Sequence, residues 1–294
     1  MQPLHPENTV EPNLAPALGP GLYIVATPIG NLGDLSPRAA RILAGVALIA
    51  AEDSRVTAKL LSHIGARVPM QAYHDHSDDH ARQSLIQRAL REPVALVSDA
   101  GTPLISDPGY KLVRDARAAG VDIVTIPGPC AAVAALTLAG LPTDRFLFAG
   151  FLPAKAGARA TAIAELASIR TTLVLYESGP RLGASLAALL LGLGDRPAAI
   201  GRELTKRFEE TVTGSLSELA ARYAAAPPRG EIVITIGPPG DSPLPDADAI
   251  DSALRSALAA GSLKNAVAEV TAMLGLPRAQ VYARALVLRD EDAR

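Results

Sequence analysis

Apolar residues gather into short runs of strand length, broken at regular intervals by small or polar residues. LYIVA (22–26), VALIAA (46–51), VALVS (94–98) and Val121 to Ile126 are nearly continuous apolar runs. Such runs suit strands buried on both faces, where alternation is lost. A helix signal follows each. Ser36 and Pro37 stand as cap and first helical residue. Ser54 caps a helix to His63, which Gly65 ends, and Ser77 caps the next. Ser106 or Asp107, with Pro108 in the first turn, opens a helix reaching Gly120, and Pro127 to Ala131 opens AAVAALTLAG. Strand alternating with helix over 22–141 predicts a mostly parallel sheet covered on both faces.

The second half, 142–240, has a different rhythm. Leu141 to Lys155 joins the halves and holds three of the four phenylalanines, Phe146, Phe148 and Phe151, as a hydrophobic strand packing them together would. A helix follows to Ile169, then strands over Thr171–Tyr176, Ala198–Leu204, Glu209–Thr213 and Glu231–Gly237, with a helix at Leu216–Ala226. Closer strand spacing predicts a mixed sheet with helices. The stretch GPPGDSPLP (237–245) is a linker. Beyond it, over 250–294, Ser262 caps a helix with Ala266, Val267, Val270, Met273 and Leu274 inward. Gly275 ends that helix, and Pro277 starts a second through Val281, Tyr282 and Leu286, in helix-turn-helix outline. Residues 1–21 carry five prolines and no period, so disorder is expected there.

At 49% apolar and 20% charged residues, the 294-residue chain can build a real core. A net charge of −2 provides no global field for a polyanion, so nucleic acid would need local basic residues. The helices after residue 240 carry six Lys and Arg against eight Asp and Glu. One cysteine, Cys130, excludes an internal disulfide and fits a reducing compartment. No run spans a bilayer and MQPLHPENTV lacks signal-peptide features, so a cytoplasmic protein without membrane contact is the expectation.

Three strand-end turns concentrate proline, glycine and small residues at one sheet edge: the turn at Pro28, the Asp99–Ala100–Gly101–Thr102–Pro103 turn with Ile105, and Pro127 to Ala131 with Cys130. In an open α/β sheet, ligands bind at that edge. No G-x-G-x-x-G or Walker loop is present, so a cofactor would sit on these proline-containing turns. Cys130 has no histidine near it in sequence and reads as a small buried residue rather than a nucleophile. His74, His76 and His80 with Asp75, Asp78 and Asp79 have metal-ligand chemistry. The Ser77 cap, however, puts acids in a helix first turn and leaves two histidines ahead of it, so no metal is assigned.

Seven motifs then stand in one order: VATPIGNLGD (25–34), AAEDSR (50–55), SDAGTPLISDPG (98–109), IPGPCAA (126–132), FLP (151–153), YESGPR (176–181) and RELTKRFEE (202–210). Together they resemble the RsmI-type 16S ribosomal RNA ribose 2′-O-methyltransferases of the tetrapyrrole-methylase superfamily, the class III methyltransferases. The resemblance covers residues 22–237 and extends more weakly to the terminal helices. It implies a two-domain α/β homodimer with S-adenosylmethionine in the cleft between domains. It also implies a cytidine ribose of 16S ribosomal RNA, in the small ribosomal subunit, as methyl acceptor. Similar proteins often carry serine where Cys130 stands.

Methyl transfer from a sulfonium is an in-line displacement that needs positioning more than a covalent nucleophile. A 2′-hydroxyl is a poor nucleophile, so a proton acceptor helps. Glu52, Asp53, Glu177 and Glu203 are acidic candidates at strand ends, with Lys206 beside them. Arg55, Arg181, Arg202, Arg207 and Lys206 could hold phosphate or a developing alkoxide. Sequence does not choose among them. A tetrapyrrole methylase or diphthine synthase would share the cofactor turns but not YESGPR, RELTKRFEE and the terminal helices. A non-catalytic RNA-binding assembly factor would keep the fold without binding the cofactor.

Overall fold

The computed structural model describes residues 18–74, 79–240, 247–274 and 276–292. The Ser77 cap, His76, the Gly275 helix stop and nearly all of the proline-rich start lie outside them. The chain runs β1 (Gly21–Val25), α1 (Pro37–Gly45), β2 (Leu48–Ala51), α2 (Ser54–His63), β3 (Met70–Ala72), α3 (Asp79–Ala89), β4 (Pro93–Val97), α4 (Tyr110–Ala118), β5 (Ile123–Ile126) and α5 (Ala131–Ala139). It continues through β6 (Phe146–Phe151), α6 (Ala156–Ala167), β7 (Thr172–Ser178), α7 (Leu182–Leu193), β8 (Pro197–Arg202), β9 (Glu210–Ser215), α8 (Leu216–Ala224) and β10 (Glu231–Ile236). Helices α9 (Ala247–Ala260), α10 (Leu263–Leu274) and α11 (Arg278–Asp292) follow.

The first sheet has the order β3-β2-β4-β1-β5 and is parallel throughout. Its apolar strands bury both faces, as their unbroken runs require. The chain leaves β1 toward β2 and leaves β4 toward β5, on the opposite side. The carboxyl ends of β1 and β4 therefore frame the crevice where doubly wound sheets take ligands. The second sheet, β6-β7-β10-β8-β9, pairs β6 with β7 parallel and the remaining strands antiparallel. It is the mixed sheet that the closer strand spacing implies.

Strand alternation divides the second sheet's side chains. Leu173, Leu175, Ile232, Ile234 and Ile236 pack against α6, α7 and α8. Val174, Tyr176 and Val233 point the other way, onto Ala132, Ala135 and Leu136 of α5. So α5, the last helix of the first half in chain order, covers the second sheet. Residues up to Pro238 form one compact unit holding both sheets, and residues from Pro239 form another.

That terminal unit is a three-helix cluster around Leu254, Val267, Val270, Val281, Ala285 and Leu288. Ser262 caps α10, accepting a hydrogen bond from Asn265 N–H. Met273 and Tyr282, expected inward, are exposed, because Ala266, Val267 and Val270 take the buried stripe of α10 and Val281, Ala285 and Leu288 that of α11.

Two helix starts also differ from expectation. Asp53, not Ser54, caps α2, its carboxylate accepting from Arg55 N–H at 2.8 Å. Helix α4 starts at Tyr110 after Gly109, so neither Ser106 nor Asp107 is its cap. Leu104 (φ 75°) and Ser106 (φ 62°) occupy the left-handed region and turn the 104–107 segment away from the helix axis. β8 likewise stops at Arg202, before left-handed Glu203 and Thr205.

Candidate active site

The three small-residue turns meet. Thr27 N–H donates to the Gly101 carbonyl at 2.9 Å, and Gly101 N–H returns a bond to the Thr27 carbonyl at 3.1 Å. The Thr27 hydroxyl donates to the Ser98 carbonyl, and the Thr102 hydroxyl donates to the Pro129 carbonyl at 3.0 Å. Gly101 has φ 82°, and a Cβ there would stand 3.2 Å from Ile29 Cγ2. The backbone thus lies bare toward the crevice because glycine alone suits this position.

The second half closes the crevice. Tyr176 lies edge-on to Phe148 and Phe151, with ring centroids 4.8 and 5.6 Å away. Its hydroxyl accepts the Ala132 N–H at 3.1 Å, in the first turn of α5. Burial pushes the Tyr176 phenol above its usual range, so it stays protonated. A cavity of about 350 Å³ lies between the halves. Ile29, Ala100 to Thr102, Ile105 and Ala131 line it from the first half, and Phe151, Leu204 and Gly230 to Val233 from the second. A second cavity, about 340 Å³, carries it past Pro28, Gly30 and Asp99 to Lys206, sharing Ile29, Ala100 and Glu231 with the first.

One rim of this cleft is acidic. Asp99 accepts the Asp53 N–H at 2.9 Å, and Glu52 accepts the Asp99 N–H at 3.3 Å. Asp107 lines the first cavity close to both. Burial, with the neighbouring Glu52 and Asp99 charges, pushes its carboxyl up to about 6, and a hydrogen bond from Ser98 opposes that rise. A negative rim over apolar walls suits a cationic ligand.

The remaining candidates separate. Of the turn residues, Pro28, Asp99, Ala100, Gly101, Thr102, Ile105 and Ala131 line the joined cavities, whereas Pro103, Pro127 and Cys130 stand behind them. Glu177 is among the residues lining the first cavity, but it is buried and its carboxylate is bound on the α7 side by the Ser185 hydroxyl, Ser178 N–H and Arg181. Arg181 also donates to the Leu152 carbonyl. Arg202 pairs with Glu210 at 3.0 Å inside the second half. Lys206 reaches the second cavity but its ammonium is held by Glu203 at 3.0 Å and Glu231 at 2.8 Å. Burial works against that charge, yet the two carboxylates outweigh it and hold the Lys206 pKa above its ordinary value. The Glu231 N–H, then Lys206, hold Glu203 below its own. Arg55 pairs with Asp53 and holds its carboxyl down at about 2 while staying largely in solvent. Arg207 is exposed and stacks on Phe208, 5.6 Å from the ring centre. Among the described residues, no group of His, Cys, Asp or Glu is placed to hold a metal ion.

Sequence reasoning missed Asp107 as a lining residue, because Ser-Asp-Pro reads as a helix start. It also missed Tyr176, Leu204 and Gly230 to Val233, which only the order of the second sheet brings to the cleft.

Comparison with known proteins settles the family. Residues 21–220 match the family model described as Tetrapyrrole (Corrin/Porphyrin) Methylases, and residues 244–289 match the RsmI C-terminal HTH domain. The chain belongs to the tetrapyrrole methylase family, as an RsmI-type member.

A Mesorhizobium japonicum protein named ribosomal RNA small subunit methyltransferase I is 50% identical over 93% of this chain and 94% of its own length. A protein of the same name from Erythrobacter litoralis is 51% identical over 94% and 98%. Uroporphyrin-III C-methyltransferase from Thermus thermophilus, solved with S-adenyl homocysteine, shares the fold at TM-score 0.51 and 22% identity, over 74% of this chain and 97% of that one. This chain is a methyltransferase of the ribosomal RNA family. No helix among the described residues is long and apolar enough to cross a membrane.

Proposed function

We propose that this protein methylates the 2′-hydroxyl of a cytidine ribose in 16S ribosomal RNA of the small ribosomal subunit. The observation that carries the reading is the near full-length likeness to relatives named for that subunit, joined to a cleft built for a compact cation. S-adenosylmethionine is the methyl donor, and when bound it supplies an electrophilic methyl group on a sulfonium sulfur. A cavity of about 350 Å³ falls in the size range of small-ligand sites. The bare backbone at Ala100 to Thr102 admits close approach, and Ile29, Leu204 and Val233 exclude water. Glu52, Asp99 and Asp107 favour positive charge over the cleft.

RNA is gripped by local cations, since net charge is −2. Arg207 and Arg55 are exposed, and phosphate can compete with Asp53 for the solvent-facing Arg55, whereas Arg181 and Arg202 hold the second half together. The protein works as a homodimer in the cytoplasm, with exposed apolar side chains such as Leu191 and Phe146 available to an interface. Incubation of isolated small subunits with methyl-labelled cofactor, then mapping of the label, tests the reading. Label at a cytidine ribose supports it, and unlabelled ribosomal RNA refutes it. Light scattering at micromolar concentration tests the dimer.

A further inference from the structure

The carboxylates bordering the cleft are mostly committed. Glu177 is locked by Ser185, Ser178 and Arg181 on the far face of the second sheet. Glu203 and Glu231 share Lys206. Asp99 and Glu52 each accept a backbone N–H that ties the β2 and β4 turns together. Asp107 differs. It lines the cavity, as Glu177 and Glu231 also do, but it is half-buried there with no cationic partner among the described residues and is met by the Ser98 hydroxyl, a donor that can rotate away. The groups that face it are Glu52 beyond β2, Asp99 and Ser98 beyond β4, and the neutral Tyr176 phenol of β7. Among the described residues, no cation faces it from these elements. The left-handed residues Leu104 and Ser106 put it there, and backbone strain of that kind persists where surrounding structure holds it. Gly150 of β6 packs against that segment: a Cβ there would stand 3.0 Å from Ser106 Oγ.

We propose that Asp107 is a catalytic residue of this methyl transfer, the group that takes the proton of the attacking ribose hydroxyl; the role rests on the ribose-methylating reading above. A lone pair of the 2′-oxygen forms the new bond to the methyl carbon as the carbon–sulfur bond breaks toward sulfur. The O–H electron pair stays on oxygen, and the proton passes to an Asp107 carboxylate oxygen, leaving a neutral carboxyl. The proton goes to water once the methylated RNA has left. A carboxylate in a partly desolvated, anionic setting is basic enough for this, and a base works best when it titrates near the working pH.

The test compares wild type, Asp107→Asn and Asp107→Glu in single-turnover methylation of small subunits from pH 5 to 8, with calorimetric binding of S-adenosylhomocysteine. Asp107→Asn is expected to lose roughly 10²- to 10⁴-fold in rate while holding S-adenosylhomocysteine within about threefold. The wild-type rate rises through an acid limb with midpoint near 6, absent in Asp107→Asn and partly restored in Asp107→Glu. A rate within about tenfold of wild type in Asp107→Asn, or an unchanged acid limb, overturns the role while leaving the methylating activity standing. Wild type that leaves small subunits unmethylated overturns both. Should Asp107→Asn not fold, Asp107→Glu decides: a slower rate with a displaced acid limb upholds the role, and a wild-type rate with the acid limb unmoved overturns it.

Discussion

Gly30 and Lys206 face each other so closely that a Cβ on Gly30 would stand 2.4 Å from Lys206 Cγ. The first residue follows β1 and the second follows β8, so this contact joins the two halves beside the second cavity. Gly30→Ala therefore drives the lysine stem off its seat and its ammonium away from Glu203 and Glu231. We expect a cost of about 1–3 kcal/mol, read as a melting temperature lower by several degrees, with weaker S-adenosylhomocysteine binding. An unchanged melt would show that the stem relaxes without loss.

Gly101→Val should abolish cofactor binding in a protein that still folds. The φ of 82° penalises any β-branched residue, and the added side chain would meet Ile29 on the cavity wall. Calorimetry is expected to show at least a tenfold loss of S-adenosylhomocysteine affinity, with far-ultraviolet dichroism preserved.

Arg202 and Lys206, candidate phosphate contacts by sequence, are tested together by Arg202→Ala with Lys206→Ala. The ion pairs to Glu210, Glu203 and Glu231 predict a different result. Glu210 keeps Arg222 at 3.4 Å, so the Arg202 change costs only about 1 kcal/mol. Removing Lys206 leaves two carboxylates facing each other beside the cleft. The double variant should lose stability and cofactor affinity together. Normal stability and affinity with failed methylation would return both residues to the RNA-facing side.

Asp107 gives stability a pH dependence of known sign. Its folded carboxyl titrates near 6, above the ordinary 3.8, so between those values the folded state holds a proton that the unfolded state has lost. This group's contribution therefore falls as pH rises from about 4 to about 6, and the penalty is complete above that. Asp107→Asn removes it. The melting temperature of the variant minus that of wild type should be more positive at pH 7.5 than at pH 4.5, and the reverse order would contradict the burial argument.

Much of this site was legible because proline, glycine and small residues announce strand ends locally. Pro28, Gly101 and Ala131 could be placed at one edge from runs of five or six residues each. What could not be read was non-local. β10 enters the second sheet between β7 and β8, and only that order carries Gly230 to Val233 to the cavity. Leu182–Leu193 is apolar on nearly every side, so no period marked α7. Asp107 was hidden by a competing local rule: Ser-Asp-Pro suits a helix start, and tertiary packing placed it on a left-handed turn instead.

The position of α5 sets a limit on how the enzyme can move. This helix grows from the Pro127–Ala131 turn of the first sheet, yet Ala132, Ala135 and Leu136 are sunk in the second. A fragment ending near residue 141 would carry that face into water, so neither half should fold as a separate piece. The two halves are stitched across their apparent border, and hinge-like parting would tear Ala132, Ala135 and Leu136 from Val174 and Val233. We therefore expect the cofactor to enter past the 104–107 and 203–206 turns, which border the joined cavities, rather than through a clamshell opening of the two halves.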